Sequence, residues 1–303
     1  MDSSGCYSVV VDGVFVIDKP AACTSHDVVN RMRRISQMRR IGHLGTLDPM
    51  ATGVLPLIVG RATRLAQYFV RNDKIYDAVV RFGLTTTSYD REGEVTSTND
   101  SFELNRAELE IALESYRGTF FQTPPPVSAK KVNCVPAYKL ARKNVAVELE
   151  PVEVTIHSLD LLEMTRDTAR ILVRCSGGTY VRSIAHDLGQ RLGCGGILDQ
   201  LRRTASGDFT EEQAHSLEEL QSLSEQKRLA DALIPAGLLL PEIPAEIVDA
   251  LTAGQIRQGR DFRVSPFRSQ REGRFVKALT HDGELVAIGE AKLPHVYHPI
   301  LVL

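Results

Sequence analysis

Twelve residues, Gly42-His43-Leu44-Gly45-Thr46-Leu47-Asp48-Pro49-Met50-Ala51-Thr52-Gly53, constrain this chain most. Three glycines, a proline and an Asp-Pro pair predict a tightly shaped loop, not a regular element. The apolar run that follows, VLPLIV, reads as a strand. Asp48 can cap a short helical turn, with Pro49 at its first position and Gly53 at its end. It can also be a carboxylate nucleophile on a rigid loop. The two readings are compatible, because a helical N-terminus also stabilises an ionised carboxylate. The phosphate-cradle patterns, a Walker loop or a strand–Gly-x-Gly-x-x-Gly–helix unit, are absent. His43 taken alone reads as a packed or hydrogen-bonded histidine.

The flanking pattern places this loop in an α+β chain. GVFVID (13–18) is a buried strand, and Thr24 or Ser25 caps a helix with Val28, Val29, Met32 and Ile35 inward. GRATRLAQYF reads as helical, and KIYDAVVRFG alternates with Tyr76, Ala78, Val80 and Phe82 on one face. Asn105 and Glu108 form a capping box. FQTPPPVSAKK is a proline-rich loop, and PVEVTIHSL and ARILVRC are strands. GGTY opens a helix with Thr179 as its cap and Arg182 in its first turn. Pro241 and Pro244 mark a linker, followed by a helix near 245–252 and strands near 274–280, 284–290 and 299–303. The expected division is a large domain over 1–240, with a proline-rich and basic stretch at about 120–150, and a small domain over 241–303.

Charge sharpens the picture. The net charge is −2, which argues against a uniformly basic nucleic-acid binder. Yet residues 31–40 hold five arginines and no acid, and residues 128–144 hold five lysines and arginines and no acid. Such clusters are either solvated faces or local contacts for a polyanion. The five cysteines are scattered without a Cys-x-x-Cys pair, which suggests free thiols in a reducing cytoplasm. No apolar run is long enough for a membrane helix, and the first residues lack a signal-peptide pattern.

GHLGTLDPMATGVLPLIVGRATRL resembles the signature loop of the TruB-type tRNA pseudouridine synthases. DKIYDAVVRFGLTTTSYDREGEV is similar to that family's tyrosine motif, and QTPPPVSAKKVNCVPAYKLARKN to its RNA-binding insertion. CSGGTYVRSIAHDLGQRLGCGGILDQLRRTASGDF resembles its third catalytic motif. The likeness runs over about residues 13–210. It implies a pseudouridine synthase fold with a mixed, mostly antiparallel sheet and a small β-rich, PUA-like C-terminal domain. That last part carries eight basic and eight acidic residues over 242–303, a balance that does not favour RNA contact.

The resemblance also implies an activity: isomerisation of uridine-55 in the T-loop of tRNA, without metal or cofactor. Asp48 would attack the uridine, Tyr76 would stack on the flipped-out base, and Tyr180 would sit beside it as the proton-moving group. Arg182 would pair with Asp48, His43 would hold the rearranged RNA loop, and Leu201 would pack near the base. Lys19 would lie at the edge of the site, and Lys130 and Lys131 would contact the T-arm from the insertion. Asn133-Cys134 stands where the family has Asn-Gly, and Asn144 where it often has Gly, so the insertion loses access to positive φ at 134. Three other functions compete with this one. They are an RNA-binding module without catalysis, a hydrolytic glycosidase, and a guide-RNA-dependent relative acting on ribosomal RNA. The first sits poorly with an intact Asp48, Tyr76, Tyr180 and Arg182 set. The second usually uses two carboxylates, and no second acid stands out in these motifs. The PPPVSAKK insertion favours the stand-alone tRNA type over the third.

Overall fold

The structure is a computed structural model that describes residues 12–128, 131–132, 135–136, 149–265 and 273–303. Its strands are β1 (Gly13–Lys19), β2 (Ile41–His43), β3 (Thr52–Val59), β4 (Lys74–Phe82), β5 (Leu84–Thr86), β6 (Val95–Thr98) and β7 (Gly118–Gln122). They continue with β8 (Lys131–Val132), β9 (Val135–Pro136), β10 (Val152–Met164), β11 (Thr168–Cys175), β12 (Gly196–Ser206), β13 (Phe209–Thr210) and β14 (Leu233–Pro235). The last five are β15 (Ala245–Ile247), β16 (Phe262–Arg263), β17 (Phe275–Leu279), β18 (Leu285–Leu293) and β19 (Val296–Val302). The α-helices are α1 (Ser25–Ser36), α2 (Arg106–Glu114), α3 (Val181–Arg191), α4 (Leu217–Glu225) and α5 (Ala250–Arg257).

A mixed sheet ordered β14-β1-β3-β12-β4-β11-β10-β7 forms the body, with β2 beside β3 and β13 beside β12. All its pairs are antiparallel except β3 with β12. β4 alternates as the sequence predicts: Tyr76, Ala78, Val80 and Phe82 are buried, while Asp77 and Val79 between them are half-buried. α1 buries Val28, Val29, Met32 and Ile35 in the same core as Tyr76, Leu201 and the α3 residues Ile184 and Leu188. Thr24 caps α1 in a reciprocal box with Asp27. Ser25, the alternative cap, instead pins the loop between β2 and β3: Leu47 N–H donates to Ser25 Oγ at 2.9 Å, and Ser25 Oγ donates to the Leu47 carbonyl at 3.1 Å.

The parallel β3–β12 contact explains Gly53. It has φ +95, and a Cβ there would collide with the Arg203 carbonyl. Gly53 lies inside β3 and ends no helical turn. α3 packs just as closely on β12, where a Cβ on Gly189 would meet the backbone of Gly195 and Gly196. Glycine at these positions lets backbone approach backbone.

Four local expectations change. GRATRLAQYF is a 3-10 helix over Gly60–Tyr68. Asn105 does cap α2, accepting from Ala107 and Glu108 N–H, but without the reciprocal Glu108 side-chain bond of a capping box. Thr179 does not cap α3: its hydroxyl donates to the Ser176 carbonyl at 2.9 Å, and the N-cap is Tyr180, without a side-chain cap. The expected helix at 245–252 is β15 followed by α5, because Asp249 supplies the true cap by accepting from Thr252 N–H.

The C-terminal part is a five-stranded sheet ordered β15-β17-β18-β19-β16. The prolines at 241 and 244 do not make a free tether. Leu239, Leu240 and Ile243 are buried in a core that also holds Val54, Ile58, Leu285 and Leu301. Buried Lys277 fastens the same segment, donating to the Leu239 carbonyl at 2.7 Å and the Gly237 carbonyl at 3.1 Å. Leu44 of the loop between β2 and β3 belongs to this shared core. No helix among the described residues is long and apolar enough to cross a membrane.

Candidate active site

The loop between β2 and β3 has few ladder partners for its carbonyls, and two buried cations supply them. Lys19 Nζ donates to Ala51 at 2.6 Å, Pro20 at 2.9 Å and Pro49 at 3.2 Å. Lys19 is fully buried, so it lies under the loop rather than at the edge of the site. Arg203 donates from Nε to Val54 at 2.7 Å, from Nη2 to Gly45 at 3.1 Å and from Nη1 to Thr46 at 3.4 Å. With Ser25 on Leu47, the loop is held on both sides of Asp48. Buried backbone groups need such partners, and each charge-assisted bond stiffens the loop further.

Asp48 closes a turn through its backbone, with Ala51 N–H donating to its carbonyl at 3.1 Å. Its carboxylate does not cap that turn. Arg182 Nη2 donates to Oδ1 at 3.0 Å, and Nε lies 2.9 Å from Oδ2. The Nε–H is off the hydrogen-bond axis, so this second contact is an ion pair without an aligned bond. Arg182 Nη1 donates to Val127 at 2.9 Å and to Ser88 at 3.1 Å, and lies 3.4 Å from Asp90 Oδ2. Arg182 and Asp90 are buried, and Asp48 is half-buried.

Asp90, like Arg203, is a residue of this candidate site that sequence reasoning missed. It sits in the turn between β5 and β6, where Ser88 Oγ donates to its Oδ1 at 2.5 Å and Glu92 N–H at 3.0 Å. DREG is an ordinary turn sequence, and only folding brings it against α3 from 94 residues away in Ser88's case. Asp90 supplies the second acid that the glycosidase reading lacked. Its oxygens are committed to Ser88, Glu92 and Arg182, which makes it a counter-charge.

Burial raises the Asp48 pKa above the ordinary carboxylate value, and Asp90 raises it further; Arg182 and Lys19 oppose them without cancelling them. If the ionised form is the active one, the acid limb of the rate profile lies above the usual aspartate value of about 3.9. Removing the like charge with Asp90→Asn then moves that limb toward lower pH. A pH series of kcat/KM for both proteins checks the sign, and an upward move of the limb contradicts it.

The other expected residues gather around this pair. Tyr76 lies on β4 opposite Arg203 on β12, and burial raises its phenol pKa. Asp48 is within electrostatic reach of Tyr76, Tyr180 and Lys19. Tyr180 is half-buried, and burial raises its pKa; the Ser128 hydroxyl stands nearby without an aligned bond. Both phenols are therefore protonated near neutral pH. Leu201 is buried beside Ala78 and lines a cavity of about 400 Å³ together with Met50, Thr52, Asp77 and Arg202. Asp48 is not in that lining; the cavity adjoins the site through Met50 and Leu201. His43 ends β2 exposed, and partial desolvation, Arg203 and His26 hold its pKa below the usual imidazole value. Lys130 and the side chain of Lys131 lie outside the described residues, as do Asn133, Cys134 and Asn144. Within the arginine-rich segment, Arg31 pairs with Glu218 at 2.6 Å, while Arg34, Arg39 and Arg40 are exposed.

Fold and site together define an α+β protein built around a buried arginine–aspartate centre on a pinned loop. The model of the TruB family pseudouridylate synthase N-terminal domain matches residues 33–181, and that of the tRNA pseudouridylate synthase B C-terminal domain matches 182–241. The chain belongs to the TruB family of pseudouridylate synthases. It is 59% identical over 97% of its length to tRNA pseudouridine synthase B of Solibacter usitatus, all of which is covered. It is 40% identical to the Aquifex aeolicus protein of the same name, covering 93% of this chain and 96% of that one. A solved Cbf5-Nop10-Gar1 complex shares the architecture at TM-score 0.68 and 26% identity, over 92% of this chain and 78% of that one. An H/ACA RNP bound to a substrate RNA containing 2′-deoxyuridine shares the fold at TM-score 0.70 and 23% identity, over 96% and 84%.

Proposed function

We propose that this chain isomerises uridine-55 in the T-loop of tRNA to pseudouridine, with Asp48 as the nucleophile. The observation that carries the reading is the Asp48 carboxylate fixed by Arg182 at 2.9 and 3.0 Å on a loop pinned from both sides. The reaction breaks the N1–C1′ bond, joins C1′ to C5, releases the C5 proton to solvent and protonates N1, so product and substrate are isomers. Attack at C6 of the base or at C1′ of the sugar needs an ionised carboxylate at this one point. A base inside an RNA fold is out of reach, so the target must leave its stack. Tyr76 then offers a face worth about 1–3 kcal/mol of stacking. Leu201 provides the apolar wall, and the neutral Tyr180 phenol can carry a proton beside the sugar or base. Exposed Arg34, Arg39 and Arg40 offer phosphate contacts, and the reaction belongs in the cytoplasm, where tRNA is processed.

The curated relatives named tRNA pseudouridine synthase B support tRNA as substrate at 59% and 40% identity. The likeness to the Cbf5-Nop10-Gar1 complex is more distant, at 26% identity, so the relatives named for tRNA carry more weight. The test uses a bare tRNA transcript carrying tritium at uridine C5. Release of tritium is expected, and it should disappear when position 55 is changed to cytidine. No release, or release indifferent to position 55, overturns the proposal.

A further inference from the structure

We infer that Gln122 is the positioning residue for Tyr180, acting by a side-chain amide that pairs with its backbone; this rests on the proposed reading of the site. Gln122 ends β7, the edge strand of the main sheet, and its side chain is buried. Tyr180 N–H donates to Gln122 Oε1 at 2.8 Å, and Gln122 Nε2 donates to the Tyr180 carbonyl at 3.0 Å. This reproduces with a side chain the double bond of an antiparallel ladder.

Tyr180 needs such a hold. It is the N-cap of α3, extended at φ −103 and ψ 106, and no side chain caps the helix there. Thr179, which could have set the helix start, is turned back to Ser176. The ladder-like pair therefore fixes both peptide groups of Tyr180, and with them the direction of the Cα–Cβ bond from which its phenol extends.

The neighbouring contacts extend the same hold. Ser183 Oγ donates to the Thr123 carbonyl at 2.8 Å, and Arg182 Nη1 donates to the Val127 carbonyl at 2.9 Å. Residues 122, 123 and 127 thus grip three residues of the helix start, two of which face Asp48 electrostatically or directly. Of residues 122, 123 and 127 only Gln122 grips with its side chain, and its substitution removes the hold on Tyr180 while leaving the Ser183 and Arg182 contacts in place.

A primary amide offers a donor and an acceptor side by side; an ionised carboxylate offers acceptors only. Gln122→Glu keeps size and shape but sets an anionic oxygen against the Tyr180 carbonyl. Protonated, the same carboxyl restores the donor. The experiment compares wild type, Gln122→Glu and Gln122→Leu on tRNA transcript, with kcat and KM followed across pH. Gln122→Glu is expected to lower kcat by about 10–100-fold near neutral pH, as a small misplacement of a reacting group does, with KM unchanged. Its deficit relative to wild type should narrow as pH falls, whereas that of Gln122→Leu should stay constant. If Gln122→Leu does not fold, the pH dependence of Gln122→Glu decides alone. A raised KM with intact kcat, a Gln122→Glu deficit independent of pH, or variants as active as wild type would overturn the assignment. An inactive wild type overturns the reading of the site and this inference together, and is distinct from an active wild type with unaffected variants.

Discussion

Asp48→Asn is expected to abolish pseudouridine formation, lowering the single-turnover rate by on the order of 10⁴-fold or more, while tRNA binding stays within a few-fold. The amide keeps the size of the side chain and a hydrogen-bond acceptor for Arg182, but it is not a nucleophile. The loop should hold its shape, because Lys19, Arg203 and Ser25 bind its backbone rather than Asp48. Asp48→Asn also removes the charge that burial makes costly, so the fold loses little. Tritium release in a single turnover and a binding titration separate the two halves. Substantial turnover by a preparation free of wild type would remove Asp48 from the chemistry. Binding lost in parallel with rate would make the carboxylate a recognition group instead.

Arg182→Ala is expected to slow the same step by about 10²–10³-fold, as loss of a preorganised electrostatic group does. Asp48 then lacks its orienting partner. Arg182→Lys should be nearly as damaging. One guanidinium serves Asp48, Asp90 and the carbonyls of Ser88 and Val127, and a compact ammonium cannot span those four directions. Rates should not add: Arg182→Ala should cost little in an Asp48→Ala background. The stabilities should rank in a definite order. Arg182→Ala strands Asp48 and the buried Asp90 together, a loss of about 3–5 kcal/mol. Asp48→Ala leaves Arg182 with Asp90 and two carbonyls, so it should lose less, about 1–3 kcal/mol, yet more than a surface change. Thermal melts of the two single variants and the double check this ranking. Fully additive rate losses, or a melt more sensitive to Asp48→Ala than to Arg182→Ala, would show that Arg182 serves the RNA rather than the carboxylate.

The sequence by itself determined the elements whose causes are local. Alternation placed β4 and its buried Tyr76 face; a cap and an apolar stripe placed α1; the glycines and Asp-Pro pair placed the loop. The pairing of Asp48 with Arg182 was legible through the family motifs and through a cation set in the first turn of a helix, where the macrodipole opposes it. What surrounds that pair was not legible. Lys19 reads as a residue at the edge of the site rather than beneath its loop, Asp90 as one acid in a polar turn, and Gln122 as part of a proline-rich loop. Each is buried only because a distant segment supplies its partner: 32 residues away for Lys19 and Ala51, 58 for Gln122 and Tyr180. Periodicity and capping report on neighbours within a few residues along the chain. The partner of a buried charge or amide is chosen by which strands lie side by side, and only the tertiary structure, by pairing β3 with β12 and seating α3 against the end of β7, decided that.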